Sequence, residues 1–453
     1  MAVGRIAGIV LLAAAAPAAA ALAGARGLAA AVTSYRCTGN AAADHAALEP
    51  LIQGGGSITL HGPRPCAGNY LASGVRVAIT SVGAGVTMDG GGTGSILVAS
   101  GSTVTLTNLT LTHGRGSGPD LPGERSGDYG GGVSVTDATL RVVRCRIVGN
   151  SAEQGGGIHA AKATVKVVDA VVARNTSSEG GGGIDTEDDV DLTIRRSTIS
   201  GNSTGPHGGG IEAFDGTLTL IDSRISGNSV TARSGFRSGG GVWAGMADLS
   251  ITRSTVSGNR SMEVGGGIGY SGGKGKRFSV TDSTISGNQA AVGGGGIRSD
   301  AYYGDAVLVV DHSILTGNMA GQGGGIDIFA LHGFTSRLSI QSSSVAGNRA
   351  PGGLGGGIDS YIDQSGGATI ISTSQTTIGS WRHRTVRGNR ASFGGGIAAN
   401  GADGTATIVL KARTAVVGNT ATIDGGGVFT RNRATLLMNP GAVVTQNRPN
   451  DAR

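Results

Sequence analysis

The sequence predicts an all-β fold, a parallel β-helix in which about 13 short rungs stack into a solenoid. Glycine supplies 86 of the 453 residues and falls in clusters of three or four, which excludes a collagen repeat. A Gly-Gly-Gly-aliphatic motif recurs eleven times, at intervals of 25 to 39 residues. Between each motif and a following asparagine the residues alternate apolar and polar, which is typical of strands with one buried face.

The aliphatic residues that close the glycine clusters are called anchors below. They are Val133, Ile158, Ile184, Ile211, Val242, Ile268, Ile297, Ile326, Ile358, Ile397 and Val428. The asparagines that follow them are Asn150, Asn175, Asn202, Asn228, Asn259, Asn288, Asn318, Asn348, Asn389, Asn419 and Asn447. An aliphatic residue stands three residues before every asparagine, which predicts one core column. In the longest repeat this residue is Val386.

Two further positions in the repeat predict how the rungs turn and stack. Five residues before the asparagine the side chain is small, usually serine, so we expect Cys145, which holds this position, to face the core rather than react. Asparagine tolerates left-handed backbone angles and its amides can form a hydrogen-bonded ladder, which predicts a sharp asparagine corner. The glycine clusters predict a second corner that needs positive φ or close backbone approach.

The motifs Gly210-Ile211 and Ile225-Ser226-Gly227-Asn228 resemble the repeats of polymorphic outer-membrane proteins, marked by Gly-Gly-Ala-aliphatic and Phe-x-x-Asn. Glycine replaces alanine here and isoleucine replaces phenylalanine. The resemblance covers about residues 56–447 and implies a single-stranded right-handed parallel β-helix in a bacterial surface or secreted protein. We expect no autotransporter barrel, because the chain ends shortly after Asn447.

The expected organisation has four parts. Residues 1–23, with an end as late as about 32, read as a signal peptide, although an uncleaved membrane anchor is the alternative. Residues 33–55 would form a cap with a helix over 41–51, Asp44 near its start and Pro50 at or beyond its last turn. Residues 56–447 would form the β-helix and residues 448–453 a tail. Cys37 and Cys66 bracket the start of the repeat, which predicts a disulfide in an exported protein.

Composition limits the possible partners. Lysine and arginine exceed aspartate and glutamate by 36 to 30, and both signs are mixed along the chain, which disfavours a nucleic-acid surface. We expect no cofactor, and no membrane span after processing. The protein is predicted to be secreted, with cell-surface association open.

Candidate catalytic residues come from the positions directly after the anchors, which should point away from the core. The alternative is that these exposed positions carry charged residues by default and have no catalytic role. His159, Asp185 and Glu212 would occupy three consecutive rungs, and carboxylates one rung apart approach the spacing in retaining glycosidases. A run of carboxylates could bind a hard cation such as Ca²⁺, although a solvated loop is the simpler interpretation. Its members are Asp185, Glu187, Asp188, Asp189 and Asp191.

The distance from anchor to asparagine grows in the second half of the repeat, where aromatic residues also concentrate, which favours recognition of an extracellular glycan or surface protein. The aromatic candidates are Tyr302, Tyr303, Phe329, Tyr361 and Trp381. The sequence thus favours a structural or binding, adhesin-like module without an evident catalytic site. The alternative is a polysaccharide lyase or glycoside hydrolase of the pectin-degrading type.

Overall fold

The computed structural model describes residues 32–116, 128–233, 238–363, 366–380 and 387–452. Residues 1–31, with the expected signal peptide, lie outside this range, as do Val386 and Trp381. From Val32 onward the chain forms one compact unit. Its strands pair in parallel, each with the equivalent strand of the next turn. The all-β parallel solenoid of about 13 turns is confirmed.

Most turns contribute strands to three faces, called sheets A, B and C, and sheet C begins only at Ser151. Sheet A holds two consecutive ladders, of which the first, the anchor ladder, begins each regular strand at an anchor. Its strands are Tyr70–Ser73, Leu97–Ser100, Val133–Thr136, Ile158–Ala161, Ile184–Glu187, Ile211–Ile221, Val242–Thr252, Ile268–Ser271, Ile297–Ala301, Ile326–Ala330, Ile358–Ile362, Ile397–Asn400 and Val428–Arg431.

The second ladder of sheet A shares the two long strands Ile211–Ile221 and Val242–Thr252. Its other strands are Val32–Arg36, Gly56–His61, Arg76–Ser81, Thr103–Thr107, Thr139–Val143, Thr164–Val168, Val190–Arg195, Phe278–Thr281, Ala306–Asp311, Thr335–Gln341, Ala368–Ser374, Thr405–Leu410 and Ala434–Met438.

Sheets B and C close each turn. Sheet B consists of Cys66–Ala67, Val86–Asp89, Leu109–Thr112, Arg146–Val148, Val171–Ala173, Thr198–Ser200, Arg224–Ser226, Thr255–Ser257, Thr284–Ser286, Ile314–Thr316, Ser344–Ala346, Thr377–Gly379, Ala415–Val417 and Val443–Thr445. Sheet C consists of Ser151–Gln154, Thr176–Gly180, Ser203–Thr204, Ser229–Val230, Arg260–Ser261 and Gln289–Ala290, continued by Arg349–Leu354, Arg390–Phe393 and Thr420–Asp424.

The core columns stand where the repeat places them. Ile225 is fully buried and pairs with Ile199 below and Val256 above. One member of this column was wrong: Ile378, rather than Val386, stands between Val345 and Val416. The cause is an insertion that falls after Ile378 and lengthens the chain before Asn389.

The corners differ from the prediction in one respect. The asparagine amides form the expected ladder, in which Asn228 Nδ2 donates to Asn259 Oδ1 at 3.0 Å. The left-handed backbone, however, belongs to the preceding residue, such as Gly227 with φ 64°, rather than to the asparagine. At the other corner, a Cβ at Gly210 would lie 2.5 Å from the Gly241 carbonyl oxygen, so close approach requires glycine there.

The N-terminal cap contains one helix, Ala41–Gly54, which continues past Pro50. The expected end at residue 51 is therefore too early. The Asn40 side chain accepts a hydrogen bond from Ala43 N and caps the first turn. Asp44 is buried and accepts hydrogen bonds from Tyr35 Oη at 2.7 Å and from Ala67 N at 2.9 Å, so it ties the helix to the first rung.

At the C-terminus, the residues expected to form a tail complete the last rung. Asp451 Oδ1 accepts a hydrogen bond from Asn447 N at 2.9 Å and so ends the asparagine ladder. The backbone oxygen of Asp451 accepts one from Val428 N at 2.9 Å.

Candidate functional site

The residues directly after the anchors form one column on the anchor ladder, and each pairs in register with the next. In order they are Ser134, His159, Asp185, Glu212, Trp243, Gly269, Arg298, Asp327 and Asp359. The column lies outside the apolar core, as the pattern predicts. The expectation that charged members would be exposed is wrong for most of them, since His159 is 3 % exposed, Asp185 4 % and Asp327 0 %.

At two rungs this column is covered by the first glycine of a four-glycine cluster. A Cβ at Gly180 would collide with Glu212 Oε2 and would lie 3.4 Å from Asp185 Oδ1. A Cβ at Gly293 would likewise collide with Asp327 Oδ2. Glycine at these two positions lets the end of sheet C pass directly over the charged side chains.

The N-terminal part of the column opens into a cleft of about 440 Å³, called the acidic cleft. Its lining includes Gln154, Glu179, Gly180, Asp185, Glu187, His207, Glu212 and Phe214. Gly181, in the left-handed region with φ 51°, turns its N–H toward Glu212 Oε2 at 3.2 Å. The glycine corner thus holds the Glu212 side chain in place, and Asp185 lies on the preceding rung, paired in register with Glu212.

Two histidines accompany the carboxylates of the acidic cleft. His159 Nε2 lies 3.6 Å from Asp185 Oδ2 and 3.4 Å from Glu187 Oε1. His207 Nδ1 lies 3.5 Å from Glu212 Oε1. The structure therefore brings together the three candidates His159, Asp185 and Glu212, and it adds His207, which no repeat position distinguishes in the sequence.

The two central carboxyl groups differ in environment. Burial, together with the negative charges of Glu212 and Glu187, raises the pKa of Asp185 well above its ordinary value. The side chain of Glu212 is 12 % exposed and faces the cleft. A buried carboxyl group with a raised pKa thus stands on the strand next to Glu212, which faces the cleft, and the two strands lie about 4.8 Å apart.

Aromatic rings form the walls around these groups. Tyr129 stacks on His159 with ring centroids 4.6 Å apart, and His207 stacks on Trp243 at 5.3 Å. Phe214 lies nearly parallel to Trp243, with an angle of 7° between the rings. Sequence reasoning missed Tyr129 and Phe214, which stand at irregular positions of their rungs.

The acidic run does not converge on one point. Asp185 and Glu187 face the acidic cleft, whereas Asp188 and Asp189 are exposed at a turn with left-handed backbone. Asp189 and Asp191 line a separate groove beside Lys162. Among the residues that the structure describes, no group of three or more His, Cys, Asp or Glu side chains is placed to hold a metal ion.

Farther along the same column lies a buried charge cluster that the sequence did not reveal. Arg298 donates to Asp300 through Nε and to Asp327 through Nη1, and its guanidinium lies 4.3 Å from the centroid of the Phe329 ring. Asp359 follows on the next rung and is fully buried. Its burial and the charge of Asp327 raise the pKa of Asp359 to about 8.

Four of the five aromatic candidates fall on this side of the molecule. Phe329 and Tyr361 occupy neighbouring rungs and stack in parallel, with centroids 5.4 Å apart and an angle of 4°. Tyr302 and Tyr303 meet edge to face at 4.8 Å, and Tyr303 also touches the edge of Phe214. Trp381 lies outside the described residues.

The three cysteines have distinct surroundings. Cys37 and Cys66 form a disulfide with Cα atoms 4.6 Å apart, which joins the cap to the first strand of sheet B. Cys145 is buried in the core, and that burial raises the pKa of its thiol. A thiol held protonated in the core is a poor nucleophile.

Comparison with known families decides the classification. The profile of a family described as the right-handed β-helix region matches residues 74–248 and 131–302, which together span just over half of the chain. The chain belongs to the right-handed β-helix family. Membership accounts for the handedness of the solenoid and specifies no substrate.

Among solved structures, the chain is similar to the A-module of the mannuronan C-5 epimerase AlgE6 from Azotobacter vinelandii. The two share 13% identity over 89% of this chain and 92% of that module, with a TM-score of 0.29. No curated protein sequence matches this β-helix chain. No helix in the described part of the chain is long and apolar enough to cross a membrane.

Proposed function

We propose that this β-helix protein is a secreted glycoside hydrolase that cleaves a neutral glycan in the acidic cleft, with Asp185 and Glu212 as its catalytic carboxyl groups. One observation carries the proposal: adjacent rungs pair a buried carboxyl group, whose pKa is raised, with a second carboxyl group that faces the cleft. Glycoside hydrolysis uses such a pair, one member as an acid and the other as a nucleophile or base.

The spacing of the pair determines the chemistry that is proposed. Asp185 and Glu212 pair in register on strands about 4.8 Å apart, a spacing near the separation of about 5–5.5 Å between the carboxyl groups of retaining enzymes. Asp185 donates its proton to the glycosidic oxygen while the Glu212 carboxylate attacks the anomeric carbon, so the glycosidic bond breaks and a glycosyl ester forms. Water then attacks the ester, Asp185 takes up the proton of that water, and both groups return to their starting states.

His159 acts as a positioning residue in this scheme. It lies on the rung before Asp185 and stacks against Tyr129, and its Nε2 faces both Asp185 and Glu187. A proton on Nε2 would stabilise the ionised form of Asp185, the form that activates water in the second step.

The lining of the acidic cleft supports a neutral rather than an acidic substrate. Four carboxyl residues and no lysine or arginine line the described part of the cleft, so a uronate chain would meet repulsion there. Phe214 offers an aromatic surface for a sugar ring. The stacked pair Phe329 and Tyr361 continues along sheet A, and Tyr361 lies six rungs, about 29 Å, from the level of Asp185.

Glycan cleavage tests the proposal directly. The purified chain is incubated with a panel of neutral and acidic polysaccharides, and new reducing ends and binding are measured in parallel. We expect cleavage of a neutral glycan with retention of anomeric configuration, observed by proton NMR of the first product. Asp185→Asn and Glu212→Gln should each lower kcat by about 100-fold or more, whereas the exposed Asp188→Asn should leave it unchanged.

Two results would decide against hydrolysis. Cleavage that survives both substitutions would place the chemistry elsewhere. Binding without cleavage, weakened by Phe329→Ala or Tyr361→Ala, would instead support the adhesin-like module that the sequence favoured, with an extracellular glycan as its partner.

A further inference from the structure

The turn six residues before the asparagine keeps opposite charges on neighbouring rungs in the first six repeats. Its residues, called the alternating column, are Arg144, Asp169, Arg196, Asp222, Arg253 and Asp282. Arg196 Nε lies 2.7 Å from Asp169 Oδ1, and Arg253 Nε lies 2.7 Å from Asp222 Oδ1. Opposite signs on paired strands stabilise a sheet, and like signs directly opposite destabilise it.

The last rungs of sheet C show the opposite arrangement at a different repeat position, directly after the ladder asparagine. Arg349 and Arg390 begin neighbouring strands, pair directly in register and are both exposed. Thr420 follows on the next rung and the exposed Arg448 on the one after it. Within the described ranges, neither Arg349 nor Arg390 makes a side-chain hydrogen bond or ion pair, so two like charges face each other without compensation.

A groove of about 300 Å³ runs between the two arginines, and we call it the basic groove. Pro351, Gly352, Ala391, Ser392 and Thr422 complete its lining. Its described lining carries no acidic residue, in contrast to the acidic cleft. Guanidinium groups bind planar carboxylates and tetrahedral oxoanions through two parallel N–H bonds, and the serine and threonine hydroxyls add further donors.

We infer that the basic groove is a binding site for an anionic polysaccharide, held through its carboxylate or sulfate groups by Arg349 and Arg390. Arg349 and Arg390 pair in register on adjacent strands, whose backbones lie about 4.8 Å apart, so both guanidinium groups can be engaged by a ligand with closely repeated charges. A chain with one charge per sugar presents them. This site would tether the protein to an acidic matrix, and it stands independently of cleavage in the acidic cleft.

Calorimetric titration of the whole chain tests the inference. The probes are oligogalacturonate and dextran sulfate, with uncharged dextran and inorganic sulfate as separate arms. We expect both anionic chains to bind and dextran not to bind at this groove. The pair Arg349→Ala/Arg390→Ala should weaken binding at least about tenfold. The charge-matched pair Arg141→Ala/Arg337→Ala, both exposed on sheet A, should change it by less than about twofold.

Each alternative outcome overturns a defined part. Equal losses in the two double variants would show general attraction to a basic protein rather than a site. Inorganic sulfate that binds as tightly as dextran sulfate would replace the polymer with a small anion. The two proposals fail independently. If the basic groove binds no anion, Asp185→Asn should not change any residual anion binding. If the acidic cleft cleaves no glycan, Arg349→Ala/Arg390→Ala should still weaken anion binding.

Discussion

Asp359 is a carboxyl group that the fold buries completely on the rung after Asp327. Neither of its oxygens makes a hydrogen bond of normal geometry within the described residues. An ionised carboxylate in such a place is costly, which is why its pKa rises to about 8. The sequence identified Asp359 only as a position after an anchor, and the repeat pattern did not predict its complete burial.

The raised pKa of Asp359 makes stability depend on pH in a defined direction. An unfolded aspartate titrates near about pH 4, so between that pH and about 8 the folded state binds the extra proton. The contribution of Asp359 to stability is therefore fully present below about pH 4 and is lost as pH rises toward about 8. Asp359→Asn, which stays neutral, should reduce this decrease when urea unfolding is compared at pH 5 and pH 9.

The exposed Asp188→Asn serves as the control, because its carboxylate faces solvent at a turn where asparagine also accepts a left-handed backbone. It should keep the wild-type dependence. A variant at Asp359 that loses as much stability as the wild type between the two pH values would show that Asp359 ionises normally in the folded chain.

At the scale of the element, the sequence predicted the columns better than the corners. Core positions repeat because each needs a like neighbour above and below, so Ile225 and the asparagines were readable from spacing alone. The acidic cleft was only half readable: His159, Asp185 and Glu212 share one repeat position, whereas Tyr129 and His207 lie in irregular segments. The prediction of Val386 as a core residue was wrong, because an insertion separates the strand with Ile378 from Asn389. Spacing from the asparagine therefore fails where a rung carries an insertion.

The asparagine ladder satisfies buried hydrogen-bonding groups on every rung that it crosses, so losing one of its side chains should be costly. Asn228 Nδ2 donates to Ile199 O at 3.0 Å and to Asn259 Oδ1 at 3.0 Å, and its Oδ1 accepts from Asn202 N at 2.9 Å. Asn228→Ala leaves these buried groups unsatisfied and should lower the free energy of unfolding by about 3 kcal/mol. Asn439→Ala, at an exposed amide, should change it by less than about 0.5 kcal/mol. Urea titration measures the free energy of unfolding of both variants. Equal losses in Asn228→Ala and Asn439→Ala would contradict the stabilising role of the ladder.

At the scale of the whole molecule, the solenoid separates its two proposed sites. The acidic cleft belongs to the early rungs and the basic groove to the last ones. Gly180 makes room for the carboxyl groups of the acidic cleft, and the arginines of the basic groove lack a counter-charge within the described residues. The regular rungs between them supply spacing. Because contacts are mainly between neighbouring rungs, a local defect should stay local.

Ile225→Asp tests this locality in the middle of the stack. The substitution places a carboxyl group between Ile199 and Val256 in a fully buried column, which costs several kcal/mol or forces the group to stay protonated. Hydrogen exchange should quicken first in the rungs that carry these three residues and only later toward the two ends. Ser226→Asp, on the outer side of the same strand, should stay within about 0.5 kcal/mol of the wild type. Exchange that quickened uniformly along the chain would mean that the solenoid unfolds as one cooperative unit, and nearest-neighbour rung contacts would then not govern its stability.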